Sequence, residues 1–104
     1  MKIPKQFQLA GQTIDVVPIS GLVAHSCHLG EAVYQEAKIK LHVGGVPPSV
    51  LEQNFCHEAV HFMLYILGYE ELNSNEQFVD SFAHMMHQFI TSQKGTIDVA
   101  GSGN

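Results

Sequence analysis

Residues 49–68 read SVLEQNFCHEAVHFMLYILG, a helical stretch that runs unbroken to a closing glycine. Gly44-Gly45-Val46-Pro47-Pro48 interrupts the chain just before it, and proline near a first helical turn removes no needed donor. Nothing from Ser49 to Leu67 breaks the helix, and Gly68 supplies its C-terminal stop. Leu51, Phe55, Ala59, Phe62 and Ile66 form one row, with Val60, Met63, Leu64 and Leu67 beside it. A helix apolar over so much of its circumference is buried on most sides. His57, Glu58 and His61 therefore fall in a largely apolar setting, where three such groups left unpaired would be costly.

Beyond this helix a short polar connection, Tyr69 to Ser74, leads to a second one. Ser74 with Gln77 resembles a capping box, so the second helix is expected from near Asn75 to about Ser92, ended by Lys94-Gly95. Its apolar rows are Phe78, Phe82, Met85, Phe89 and Val79, Ala83, Met86, Ile90. The phenylalanines and methionines of both rows are expected in the core. The remaining stripe is Glu76, Asp80, His84 and His87. A connection this brief makes the two helices antiparallel neighbours.

Before the first helix the chain reads as strands. Phe7-Gln8-Leu9 and Ile14-Asp15-Val16 flank Ala10-Gly11 as a hairpin, with Pro18 ending the pair. Residues 19–30 carry no clear period and read as a loop. A second hairpin is expected from Ala32-Val33-Tyr34 and 39–43, where Ile39, Leu41 and Val43 alternate with Lys40 and His42. A helix over 31–41 competes, because Glu, Ala, Gln and Lys favour helix. Residues 1–94 thus form one α+β domain, and the Gly-rich residues 95–104 read as a loose tail.

Composition narrows the function classes. At 45% apolar and 14% charged residues, the 104-residue chain has a core to bury and is not disordered. A net charge of -5 with only five Lys and Arg argues against a nucleic-acid binder. No segment approaches the length needed to span a membrane, and the N-terminus lacks the apolar run of a signal peptide. Cys27 and Cys56 are too few for a disulfide scaffold and read as free thiols in a reducing compartment, so a cytoplasmic protein is expected.

Chemistry concentrates at His57-Glu58-Ala59-Val60-His61, which spells H-E-x-x-H. Imidazoles four residues apart on a helix can grip one ion, and a carboxylate beside it can take a proton from metal-bound water. That is the working arrangement of zinc peptidases, whose zinc takes three protein ligands and keeps one position for water. Glu76 and Asp80, four apart at the start of the second helix, are the candidates for the third ligand, one binding and the other orienting a histidine. His84 and His87 continue their stripe and read as solvated or hydrogen-bonded to a neighbour. His25, Cys27 and His28 form a cluster without matching downstream ligands. Cys56 reads as a buried small residue, and Tyr65, one turn after His61, as packing at the edge of a cleft.

His57-Glu58-x-x-His61 followed by Asn75-Glu76-Gln77-Phe78-Val79-Asp80 is similar to the gluzincin pattern, in which a downstream N-E-x-x-x-D segment completes the zinc site. The resemblance implies that Glu76 is the third ligand and that Asp80 orients His57. Glu76-x-x-Val79-Asp80-Ser81-Phe82-Ala83 also resembles the E-x-x-A-[ND]-x-F-A signature of ImmA/IrrE-type metallopeptidases, with Val79 where that signature has Ala. Small phage and prophage metallopeptidase-like proteins share a comparable layout. The implied fold is a minimal zincin, a small antiparallel sheet of N-terminal hairpins on two antiparallel helices at about 48–67 and 75–92. The implied activity is zinc-dependent hydrolysis of a peptide or protein substrate, with Glu58 as general base. The strand pattern of 39–43 separately suggests an edge that could hold the substrate in extended form. A regulatory peptidase cutting a repressor or host factor fits the same resemblance. A catalytically silent, zincin-shaped interaction protein is the alternative.

Overall fold

The computed structural model describes residues 1–20 and 29–100. Strand β1 (Gln6–Leu9) turns through Ala10-Gly11 into β2 (Gln12–Ile19), with Phe7 opposite Ile14. Both turn residues have positive φ, 51° and 79°, as a two-residue hairpin turn that follows the strand twist requires. The second hairpin pairs β3 (Gly30–Val33) with β4 (Lys38–His42) through a single 3-10 turn, Tyr34–Glu36. Strand thus prevails over helix in residues 31–41. The alternation of β4 sends Ile39 and Leu41 into the core while Lys38, Lys40 and His42 stay partly exposed.

The sheet is mixed, not antiparallel throughout. β2 and β4 lie side by side and parallel, Val16 opposite Ile39 and Pro18 opposite Leu41, giving the order β1-β2-β4-β3. The pairing of β1 stops at Asp15, so the second half of β2 takes β4 as its partner. Pro18 ends the contact with β1 but not the strand. Asp15 N–H donates to Ala37 on the β4 side and Val16 N–H to Lys5 on the β1 side. Pro18, two residues after Val16, therefore turns its missing donor to the side that β1 has left. Nor is strand 39–43 the expected edge, because β4 is paired on both sides, by β2 and by β3. The edge nearer the helices is β3.

Helix α1 spans Pro48–Leu67 and ends at Gly68, whose φ of 81° lets its N–H reach the carbonyls of Leu64 and Tyr65. The connection contains one helical turn, α2 (Glu70–Asn73), where the sequence reads only as polar linker. Helix α3 is Glu76–Thr91, and its cap is Asn75, whose side chain accepts from Phe78 N–H at 3.0 Å. Ser74 is not the cap; its hydroxyl donates to the Glu70 carbonyl at 2.9 Å. Glu52 of α1 meets His87 of α3 while His61 meets Glu76, so the two helices run antiparallel.

The core joins Ile14, Ile39 and Leu41 of the sheet to Phe55, Ala59 and Phe62 of α1, and Val79 and Ala83 of α3 close its far side. Not all the large apolar residues of α3 are buried. Phe82, Met85 and Phe89 are exposed, because α3 packs on α1 and α2 rather than on the sheet and only one of its rows has a partner. Among the described residues no helix is long and apolar enough to cross a membrane.

Candidate metal centre

The α-helical period does what the five-residue motif promises. His57 and His61 project from one face of α1, their rings 4.9 Å apart, towards the first turn of α3. There Glu76 sits between them. Its Oε2 lies 3.1 Å from His57 Nε2 and its Oε1 2.9 Å from His61 Nε2. One ligand atom from each of the three residues falls within 4.8 Å of the others, close enough for one ion to bind all three.

The far nitrogens decide how these rings are held. His57 Nδ1 faces Asp80 Oδ1 at 3.4 Å, and His61 Nδ1 faces Asn73 Oδ1 at 2.6 Å. The Asn73 oxygen at His61 Nδ1 favours the tautomer with its proton there, and the Asp80 carboxylate near His57 Nδ1 favours the same charge distribution in that ring, so each Nε2 is free to offer its lone pair to the common centre. Asn73 Nδ2 in turn donates to Tyr34 Oη at 3.1 Å. The Tyr34 ring stacks flat on Tyr65 at 4.2 Å and meets Phe62 edge-on. Burial holds the Tyr34 phenol above its ordinary pKa, with the carboxylates of Glu58 and Glu76 adding to the rise. The phenol therefore stays protonated.

Glu58 is buried beside the histidines, in the wall of an open cleft of about 610 Å³. The other walls include Gly30 to Ala32 of β3, Tyr34, and His42 of β4. β3 runs so close that a Cβ on Gly30 would stand 3.1 Å from Glu58 Cγ and 3.3 Å from its Oε2. Glycine at this position lets the edge strand border the carboxylate. Two imidazole nitrogens and one carboxylate oxygen, with a second carboxylate nearby, are placed so that they could hold one metal ion.

The sequence-derived residues thus gather at one point: His57, His61 and Glu76 converge, Asp80 touches His57, and Glu58 lines the same cleft. His87 and His84 do not join them. His87 bonds Glu52 at 2.8 Å, and His84 lies exposed, 3.9 Å from Asp80. Cys56 is wholly buried, and burial first, with the charge of Glu52, pushes its thiol up in pKa, away from the reactive thiolate. His25, Cys27 and His28 lie outside the described residues. Asn73, Tyr34 and Gly30 escaped sequence reading. Each acts through a contact between distant segments, and no local pattern marks any of them.

No family model matches this sequence, and no curated protein or solved structure matches it either.

Proposed function

We propose that the chain is a zinc-dependent metallopeptidase of minimal zincin architecture, with His57, His61 and Glu76 as the metal ligands. A single observation carries the reading. Two Nε2 atoms converge on one carboxylate while His61 Nδ1 is hydrogen-bonded to Asn73 and His57 Nδ1 lies 3.4 Å from the Asp80 carboxylate, beside a buried glutamate in an open cleft. An ordinary surface ion pair needs none of the supporting contacts.

Zinc, when bound, supplies a Lewis acid that lowers the pKa of water towards about 7 and polarises the scissile carbonyl. Glu58 accepts the proton of the attacking water and passes it to the leaving amine nitrogen. Tyr34, whose oxygen already accepts from Asn73, keeps its O–H to donate into the cleft towards the carbonyl oxygen. An extended peptide would lie along the edge of β3 that no strand covers among the described residues, where the backbone borders Glu58 at Gly30. The resemblance to gluzincins and to ImmA/IrrE-type peptidases in residues 57–83 agrees with this assignment.

A Glu58→Gln exchange tests the reading. Purified protein and variant should each bind one zinc by elemental analysis, while cleavage of a denatured-protein peptide library falls roughly 100-fold or more in the variant. Equal zinc content with equal, absent cleavage would favour the zincin-shaped interaction protein. Failure to hold zinc at neutral pH would remove the metal centre itself.

A further inference from the structure

Helix α3 carries two apolar rows, and among the described residues only one of them is buried. Val79 and Ala83 are fully buried against α1. On the other row Phe82, Met85 and Phe89 stand 48%, 71% and 68% exposed, and Phe78, half-buried and 5.8 Å from Phe82, begins it. The row 78-82-85-89 has the 4-3-4 spacing of a helix that pairs along a seam. We infer that this row is the contact surface for a second copy of the same chain.

Charge favours a copy as the occupant. The chain carries -5 overall, yet the residues beside the row on its outer flank are Gln77, Ser81, Gln88 and Ser92, none of them charged. Two copies meeting there avoid the repulsion they would meet across the acidic surfaces. Area agrees. The exposed parts of these large side chains come to roughly 400–500 Å² per copy, so the apolar row alone would hide roughly 900 Å² in a pair. The flanking Gln and Ser side chains bring it to the roughly 1,200 Å² at which small specific interfaces begin.

A two-fold axis fixes the arrangement. Antiparallel α3 helices centred between residues 83 and 84 set Met85 of one copy against Phe82 of the other, a sulfur–aromatic contact, and Phe89 against Phe78. The helix dipoles then oppose. Glu76 and Asp80 occupy a different face of α3, turned to α1, so the pairing leaves the cleft open.

Sedimentation velocity over about a hundredfold range of protein concentration reads the equilibrium. The expected mass rises from 11.5 kDa towards twice that value. Met85→Glu and Phe89→Glu, on side chains too exposed to unfold the domain, should each weaken association at least about tenfold. Zinc content should be unchanged in both. Ile97→Glu, at an exposed apolar residue off the helix, should associate like the parent. A parent chain that stays monomeric throughout overturns the proposal and reserves the row for another protein. So does a Met85→Glu variant that associates as well as Ile97→Glu.

Discussion

Histidine–carboxylate contacts bridge α1 and α3 at both ends of the helix pair, and the two ends differ in kind. At one end His87 Nε2 meets Glu52 Oε1 at 2.8 Å, with the amino group of Met1 3.4 Å from the other oxygen. One imidazole faces one carboxylate. At the other end the single carboxylate of Glu76 lies between two imidazoles, at 2.9 and 3.1 Å, and each ring is gripped from behind. The contact distances are nearly the same, so distance does not separate an ion pair from a metal centre. The number of lone pairs aimed at one point does, together with whatever fixes the opposite nitrogens.

The largest expected effect breaks the metal end. Glu76→Ala should weaken zinc binding by more than about 100-fold in a competition titration, and Asp80→Ala by about 10- to 100-fold. The reverse order would exchange their roles. Glu52→Gln should leave zinc affinity unchanged, although it removes a carboxylate from an equally short histidine contact.

A smaller effect sharpens the difference between the two rings. His61 is held by Asn73 at 2.6 Å in a partly buried setting, and His57 by the exposed Asp80 at 3.4 Å. Asn73→Ala should therefore cost at least as much zinc affinity as Asp80→Ala, again within about 10- to 100-fold. Tyr34→Phe, which removes only the outer partner of Asn73, should cost less than either in the same titration.

What could be read from the sequence divides along the same physical line. That His57 and His61 share one face, and Glu76 and Asp80 another, was legible, because a helical period places residues four apart together without help from the rest of the chain. The stop at Gly68 is equally local. The parallel pairing of β2 with β4 was not legible, since two separately legible hairpins can join in several ways and only the shared core selects one. Asn73 reads as one more polar linker residue until the turn of α2 swings it onto His61. The outer row of α3 misled for a related reason. Apolar spacing marks a face that is to be covered, and nothing in the spacing says whether the cover belongs to the same chain.

The Glu52 end makes the smallest prediction, and it concerns stability rather than chemistry. The hydrogen bond with His87, and after it the Met1 amino group, hold the Glu52 carboxyl below the ordinary carboxylate pKa. In the range just below that ordinary value the unfolded chain then binds more protons at this position than the folded one. Its contribution is complete above the ordinary carboxylate pKa and is lost as pH falls through the lowered one. Urea unfolding at a series of pH values from neutral to acid should show the parent losing its advantage over Glu52→Gln only in that acid range. An advantage that persisted unchanged through that acid range would mean that the charge of Glu52 does not hold this end of the helix pair.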